Sequence, residues 1–280
     1  MELSLIGDLH FSDNYLQVAE YEETRDAYIQ HVLDEWFKIP ADYHISIGDL
    51  TNMGTVAEFQ EIFDRIAQRD KQNDFALTIG NHDAYSLPKD RIQELVGQPL
   101  NRVLYEDDQM LMIILDTNRV MDEVDYSGIL SPDQLDWLRD MVASAKNKVL
   151  VVLAHHPVYG TTYWSDVPLY SIDPDLPVKE ILEGHQGPGL YINGHTHCDS
   201  IVRQGNWHYI QFANFYDQPY FRNLTINEKG FSLSVSPIEE YYKQYGIWLG
   251  ANSHTFKLNK RGYQGLENRE VSTFFNRRSI

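Results

Sequence analysis

Apolar positions along this chain cluster in short runs that end abruptly in polar residues. Such runs occupy residues 3–7, 43–47 and 75–79 in the first part of the sequence. Each has the length of a strand that is buried on both faces, and each is shorter than a typical buried helix. We therefore predict three strands in this part of the chain.

Amphipathic stretches separate these three strands. Residues 21–38 repeat apolar side chains at helical spacing, and a second stretch before residue 75 does the same. The positions expected to be buried are Ile29, Val32, Leu33 and Trp36 in the first helix, and Phe59, Ile62, Phe63 and Ile66 in the second. The order strand, helix, strand, helix, strand predicts an α/β fold with a largely parallel sheet and helices packed on it.

The second part of the chain continues the pattern. Apolar runs at 110–115, 149–154 and 190–193 predict further strands. Between them, Ser131-Pro132-Asp133-Gln134 opens a helix, because it combines a good N-cap, a proline in the first turn and a capping box. Three later strands look antiparallel and close the domain, at residues 207–213, 220–227 and 230–237.

One segment, residues 159–177, is long and irregular, and it is rich in Tyr, Trp, Asp and Pro. A loop of this length in a compact domain often serves as a lid or a wall for substrate. After Pro237 the pattern changes to an aromatic, partly basic extension. We therefore predict a catalytic domain over residues 1–237 and an extension over residues 238–280 that packs either on that domain or on a second copy in a homodimer.

Charge narrows the classes of partner. The 280 residues carry a formal net charge of −18, so binding to nucleic-acid backbones or anionic membranes is disfavoured. Residues 254–280 hold six basic and two acidic side chains, a net of +4, which leaves −22 on the remainder. We expect the aromatic residues Phe256, Tyr263, Phe274 and Phe275 to dock this segment, with ion pairs contributing little.

The single cysteine, Cys198, excludes an intrachain disulfide. The first residues form an apolar run without a basic leader, and no window has the length of a transmembrane helix. These features favour a cytoplasmic location.

Polar residues with metal-binding side chains follow five of the apolar runs. They are Asp8 and His10, then Asp49, then Asn81 and His82, then His155 and His156, and finally His195 and His197. Taken alone, each group has an ordinary explanation, such as a turn in which Asn and Asp bond their own backbone. In open α/β sheets, however, sites form at the carboxyl ends of strands, so all five groups are expected on one rim.

The chemistry of this set fits two metal ions. Imidazole and carboxylate without thiolate favour Fe, Mn or Zn, in divalent or trivalent states. An Asp can bridge two cations, and an Asn offers a neutral oxygen. Two ions about 3.5–4 Å apart can clamp the attacking and leaving oxygens of a phosphoryl displacement. His82, next to a candidate ligand, is free to act as a general acid.

The ordered motifs Asp8-x-His10, Gly48-Asp49, Gly80-Asn81-His82-Asp83, His155-His156-Pro157 and Gly194-His195-x-His197 resemble those of the calcineurin-like metallophosphoesterase superfamily. The resemblance covers roughly residues 1–237. It implies a four-layer α/β/β/α sandwich of two mixed sheets, and hydrolysis of a small phosphorylated substrate by a metal-bridging hydroxide.

The resemblance also implies a role for each residue. One ion would be held by Asp8, His10 and His197, the second by Asn81, His155 and His195, with Asp49 bridging. His82 would be the general acid and Asp83 would orient it. We expect His156, Thr51, Asn52 and Thr196 to support these residues from behind.

Departures from the pattern indicate the branch. Asn52 stands where purple acid phosphatases carry a tyrosine, and the Asp-Arg-Gly continuation of Ser/Thr protein phosphatases is absent. The pattern looks most like class III cyclic-nucleotide phosphodiesterases and bacterial phosphodiesterases. A phosphodiesterase is therefore expected. The alternatives are a phosphomonoesterase, a nucleotide pyrophosphatase or a non-catalytic metal-binding scaffold, while a nuclease is disfavoured by charge.

Overall fold

The computed structural model describes residues 1–12, 19–70, 74–253 and 269–275. Its helices are α1 (Ala19–Trp36), α2 (Val56–Ala67), α3 (Lys89–Val96), α4 (Pro132–Ala145), α5 (Val178–Glu183) and α6 (Glu240–Asn252). Its first six strands are β1 (Glu2–Ile6), β2 (Tyr43–Ile47), β3 (Phe75–Thr78), β4 (Arg102–Glu106), β5 (Met110–Leu115) and β6 (Val149–Ala154). The remaining strands are β7 (Gly189–Asn193), β8 (Ser200–Gln204), β9 (Trp207–Gln211), β10 (Tyr220–Asn227), β11 (Gly230–Pro237) and β12 (Val271–Phe274).

These strands form two six-stranded mixed sheets. The first has the order β12-β11-β10-β1-β2-β3, in which β1, β2 and β3 are parallel and the other pairs are antiparallel. The second has the order β4-β5-β6-β7-β9-β8, with a parallel centre and antiparallel pairs at both edges. The predicted parallel arrangement of the first three strands is confirmed.

Three apolar clusters separate four layers. One lies between the first sheet and α1, α2, α3 and α6, and includes Trp36 and Phe59. A second lies between the two sheets, where Leu5 meets Leu153. The third lies between the second sheet and α4 and α5, and includes Leu138. Three interfaces between four layers confirm the α/β/β/α sandwich.

The local signals in the sequence correspond to real helix starts. Ser131 accepts a hydrogen bond from the backbone N–H of Gln134, and the Gln134 side chain accepts from the backbone N–H of Ser131. Thr55 and Glu58 form a second capping box at the start of α2. Within the described residues, no helix is both long enough and apolar enough to cross a bilayer.

The C-terminal extension is partly described. Helix α6 packs on α1, where Gly246 leaves room for the ring of Tyr28. Strand β12 pairs antiparallel with β11, and Phe275 is buried whereas Phe274 is 78% exposed. Phe256 and Tyr263 lie outside the described residues. The division at residue 237 and the docking of the whole extension stay predictions.

Candidate metal centre

The predicted ligands lie at the carboxyl ends of central strands in both sheets. Asp8 and His10 follow β1, and Asp49 follows β2, at the end of the first sheet. The second sheet contributes His155 after β6 and His195 after β7. Because all these strands are parallel within their sheets, their ends meet at one rim, and the structure brings the side chains together.

The backbone at this rim is unusual. Nine described residues other than glycine have a positive φ, and five of them are predicted ligands, with φ between 45° and 70°: Asp8, His10, Asp49, His195 and His197. This conformation is costly for residues with a Cβ and persists only where the surroundings hold it. Its concentration at these strand ends marks a functional site.

The first group of ligands is compact. Asp8, His10, Asp49 and His197 each place one ligand atom within 4.8 Å of the others. The Nε2 atoms of His10 and His197 are 3.3 Å apart, and His197 Nε2 lies 3.5 Å from Asp8 Oδ1. Four oxygen and nitrogen atoms at this separation can surround one cation.

The second group of ligands consists of His155, His195 and Asn81, whose acceptor atoms face one another. His155 donates from Nδ1 to the carbonyl O of Ile47 (2.9 Å), and His195 donates from Nε2 to the carbonyl O of Leu169 (3.1 Å). In the neutral rings, the remaining nitrogens are therefore acceptors. They lie 3.1 Å and 2.9 Å from Asn81 Oδ1, another acceptor. When both rings are neutral, these converging acceptors have no donor between them and fit a cation.

Asp49 lies between the two groups. Its Oδ2 is 3.8 Å from His10 Nε2 in the first group and 3.3 Å from His155 Nε2 in the second. Its Oδ1 accepts a hydrogen bond from the backbone N–H of His82 at 2.8 Å, which fixes the carboxylate. One oxygen of Asp49 therefore faces both groups.

Burial and mutual charge set the protonation of the site. Burial raises the pKa of Asp8 to about 8, against the attraction of His155. Burial would raise the pKa of Asp49 as well, but His155 and His82 hold it well below its usual range. For His155, burial is outweighed by the Asp49 carboxylate, which raises its pKa to about 9. A proton between His155 and Asp49 thus occupies a place that suits a cation.

Other imidazoles of the site are held neutral. Burial, followed by the charge of His155, lowers the pKa of His195 to about 3. Burial and then His82 hold the pKa of His10 well below its usual range. Metal ligation requires neutral imidazole and ionised carboxylate, so the states of His10, His195 and Asp49 suit it.

Two glycines leave space for the carboxylates. A Cβ at Gly80 would overlap Oδ1 of Asp49, and a Cβ at Gly194 would overlap Oδ2 of Asp8. That oxygen of Asp8 is buried and has no hydrogen-bond donor among the described residues. A buried carboxylate oxygen without a donor is costly unless a cation binds it. The residues present therefore fit a metal ion.

His82 is held in the site by a backbone carbonyl. Its Nδ1 donates to the carbonyl O of Asn52 at 2.7 Å, and its ring lies 4.5 Å from the ring of His10. Asp83, expected to orient His82, instead accepts hydrogen bonds from Leu50, Thr51 and the backbone N–H of Gly80. Asp83 ties the Asp49 loop to the His82 turn, and its influence on the His82 ring is indirect.

The residues expected behind the ligands are buried beside them, and their supporting role stays a prediction. His156 is buried between Thr117 Oγ1 (2.9 Å) and the carbonyl O of Tyr126 (3.0 Å), and its ring lies 4.3 Å from that of His195. Thr51 donates from Oγ1 to Asp83 at 2.6 Å. The Thr196 backbone N–H donates to the carbonyl O of Gly194, and the residue is buried.

Two contacts at the site are not predicted by the sequence motifs. Tyr85 accepts a hydrogen bond at its hydroxyl from Asn81 Nδ2 (2.6 Å), and its ring lies 4.6 Å from that of His82. Its position four residues after Asn81 in a turn was the available signal. The second contact is the Leu169 carbonyl on His195, which a sequence pattern does not encode because any residue offers a carbonyl. It brings the segment 159–177 to the site, and the service of this segment as a lid or wall for substrate stays a prediction.

Comparison with known proteins gives a family and relatives. The family described as calcineurin-like phosphoesterase matches residues 1–199. A probable cyclic nucleotide phosphodiesterase of Psychrobacter arcticus is 26% identical over 248 residues, which cover 80% of this chain and 84% of the relative. A second protein of that description, from Synechococcus, is 28% identical over 162 residues, covering 56% and 58% of the two chains.

The fold has a counterpart among solved structures. A dimetal phosphatase from Danio rerio superposes with a TM-score of 0.62 at 15% identity, over 85% of this chain and 96% of that one. At this identity the similarity concerns the fold.

Proposed function

This chain belongs to the calcineurin-like phosphoesterase family and is a metal-dependent hydrolase of phosphoric esters; from that premise we propose that it hydrolyses a small phosphodiester at a dinuclear metal centre. The family uses such a centre, and Asp8, His10, Asp49 and His197 form a candidate cluster for it. The proposal specifies the reaction, the ligands and the general acid.

One observation carries the proposal. Oδ2 of Asp49 faces His10 Nε2 at 3.8 Å and His155 Nε2 at 3.3 Å, so a single carboxylate oxygen stands between two sets of ligands. This arrangement suits two ions that share a ligand and is more than a single ion needs. Two ions bound there would activate water and neutralise charge on the phosphoryl group.

Each ligand then has a defined task. Asp8, His10 and His197 would hold the first ion, and Asn81, His155 and His195 the second. The carbonyl oxygens of Ile47 and Leu169 fix which nitrogen of His155 and His195 faces the ion.

His82 is proposed to protonate the leaving oxygen. Its Nδ1 proton is engaged by the Asn52 carbonyl, so the transferred proton would be held on Nε2. Burial lowers the pKa of His82, while the charge of Asp49 and the bond to Asn52 oppose that shift. A bound phosphate anion would add to the second influence and favour the protonated ring.

The charges around the site favour a diester over a monoester. For Asp8, Asp49, His82 and His155, burial acts most strongly on the pKa, and the side-chain charges that follow it come from Asp and His neighbours and, for His82, from Glu123. Arg119, which follows β5, pairs with Asp125 at 3.0 Å. A phosphomonoester dianion gains more from a cationic side chain than a diester monoanion does.

The relatives suggest the class of diester. Both are described as probable cyclic nucleotide phosphodiesterases, and one of them aligns with 80% of this chain. We therefore propose a cyclic nucleotide as the candidate substrate. A cytoplasmic location and a homodimer stay predictions.

The test is a substrate panel on protein reconstituted with Mn²⁺, Fe²⁺ or Zn²⁺ and analysed for bound metal. We expect bis(p-nitrophenyl) phosphate to be hydrolysed with a higher kcat/KM than p-nitrophenyl phosphate, at about two ions per chain, and a chelator to abolish both activities. The opposite preference would support a phosphomonoesterase. Full activity at one ion per chain would refute the bridging role of Asp49.

A further inference from the structure

Two loops beside the metal centre, residues 119–128 and 159–172, expose apolar side chains; we call them together the apolar wall. Eleven large hydrophobic residues are exposed in the described chain, and seven of them lie on this wall: Val120, Met121, Val124, Tyr159, Tyr163, Val167 and Leu169. An exposed apolar surface that is concentrated at the edge of a candidate active site marks a place where something binds.

Hydrogen bonds join the two loops into one unit. Gly128 donates to the carbonyl O of Ser171 at 3.0 Å, and its own carbonyl accepts from Asp173 at 2.8 Å. The Met121 N–H donates to the carbonyl O of Ala84, directly after His82 and Asp83. The wall is therefore attached to the turn that carries the proposed general acid.

Tyrosine rings form the part of the wall that faces the metal ligands. The ring of Tyr126 lies 6.0 Å and the ring of Tyr170 lies 6.2 Å from the ring of His195, and the two tyrosines are 6.2 Å apart. Trp164 extends the series, 6.3 Å from Tyr170. Tyr126, Tyr170 and Trp164 are half-buried, so part of each ring stays open to a ligand.

We propose that Tyr126 and Tyr170 bind the nucleobase of a phosphodiester whose phosphate lies at the metal centre, an inference that rests on the proposed function. A nucleobase is separated from its phosphate by one sugar ring, and these tyrosines are separated from the ligand atoms by the ring of His195. Aromatic side chains stack on bases through faces that every base offers.

The surrounding charge favours this occupant. Asp122, Glu123 and Asp125 lie on one loop of the wall and Asp166 on the other. These carboxylates repel an anionic membrane surface, whereas a neutral base carries no such charge. A small neutral ring system attached to a phosphate that the metal ions attract fits both the apolar surface and its acidic border.

The test uses two substrates with one leaving group, p-nitrophenyl thymidine 5′-phosphate and p-nitrophenyl methyl phosphate. The measured quantity is the ratio of their kcat/KM values, because the leaving group is shared and the two esters differ in the nucleoside, which adds a sugar and the base. We expect the wild type to favour the thymidine ester and Tyr170→Ala to lower the ratio by roughly 5- to 100-fold, mainly through KM. Tyr170→Phe, which keeps the ring, should retain the ratio.

Tyr241→Ala is the matched control, since Tyr241 is an exposed tyrosine on α6 and should leave the ratio unchanged. Equal losses on both substrates in Tyr170→Ala would show that Tyr170 acts through His195, and would overturn the inference. A wild type without preference for the thymidine ester would also overturn it. A wild type that hydrolyses p-nitrophenyl phosphate but neither diester would refute the proposed diesterase itself, and this inference with it.

Discussion

Two clusters of buried charge in this protein differ in how their carboxylates are neutralised. At the metal centre, Oδ2 of Asp8 is buried without a donor among the described residues. Asp199, directly before β8, is almost as deeply buried, but Arg222 donates to its Oδ1 at 2.7 Å and Arg269 to its Oδ2 at 3.0 Å. The backbone N–H of Ala213 completes the second cluster at 3.0 Å.

The contrast separates a structural carboxylate from a proposed metal ligand. Asp199 has its positive charges supplied by the chain, one from β10 and one from the C-terminal segment, so the cluster holds the fold together. Asp8 has a glycine beside it and one backbone donor, the N–H of His195, on Oδ1, whereas Oδ2 has no donor among the described residues, as its proposed role as a metal ligand requires. A buried acid without its counter-charge is therefore the better indicator of a site than burial alone.

The largest expected effect concerns Asp49, whose oxygen faces both groups of ligands. Asp49→Ala should lose both ions and reduce activity beyond the about 10²–10³-fold that removal of one transition-state donor costs. Asn81→Ala should mainly weaken the second ion. Elemental analysis after dialysis distinguishes the two variants, and an Asp49→Ala protein that keeps two ions would contradict the bridging role.

The next effect concerns His82, which lies at the metal centre but is not a proposed metal ligand. His82→Ala should keep both ions and lose kcat by about 10²–10⁴-fold. The loss should shrink for p-nitrophenolate, which needs little protonation on leaving. His31→Ala is the control, because His31 stacks on Tyr242 at 3.7 Å and is remote from the site. Equal losses on good and poor leaving groups would indicate stabilisation of phosphoryl charge instead.

Asp199 tests the structural side of the contrast. Asp199→Ala leaves Arg222 and Arg269 buried without their carboxylate, and should lower the free energy of unfolding by about 3–5 kcal/mol. Metal content per folded chain should stay at the wild-type value. Urea unfolding and elemental analysis give the two readouts. Loss of metal with unchanged stability would reverse the assignment of the two clusters.

Asp8→Asn should raise the free energy of unfolding, whereas Asp199→Ala should lower it. In metal-free protein Asp8→Asn replaces a buried acid whose Oδ2 lacks a donor, so the free energy of unfolding should rise by about 1–3 kcal/mol. The same change should weaken the first ion. Measured in chelator, the Asp8→Asn protein is compared with Asp199→Ala under the same conditions. A fall in stability of the metal-free variant would mean that Asp8 is paired in a way that its geometry does not support.

The sequence predicted the parts of the fold that are locally encoded. Strands β5 and β6 match the expected ranges to the residue, because continuous apolar runs between polar ends are typical of strands buried on both faces. Helix α4 starts where its capping box predicts. The strand ends that carry the polar motifs meet in the structure because parallel strands share a rim.

The parts that the sequence did not predict depend on distant partners. Helix α6 carries aromatic residues on several faces, such as Tyr241 and Trp248, so it lacks a one-sided pattern. The cluster at Asp199 joins residues that are 23 and 70 positions away. At the site, the carbonyls of Asn52 and Leu169 orient two histidines, and a carbonyl leaves no signature in the choice of residue.

The smallest expected effect concerns His208, a buried imidazole. Neither a carboxylate nor a proposed ligand is among the groups that set its pKa. It packs against Phe231 at 5.0 Å and near Phe275 of the C-terminal segment, and burial, with Arg203 nearby, lowers its pKa to about 4. The unfolded chain, with the ordinary pKa near 6.5, binds a proton between pH 6.5 and 4 that the folded protein does not. Stability should therefore be complete above pH 6.5 and fall as pH drops towards 4. His208→Asn should flatten this slope by roughly 1 kcal/mol or less in urea unfolding series at pH 5 and pH 7.5. A slope identical to that of the wild type would show that His208 is solvated in the folded protein.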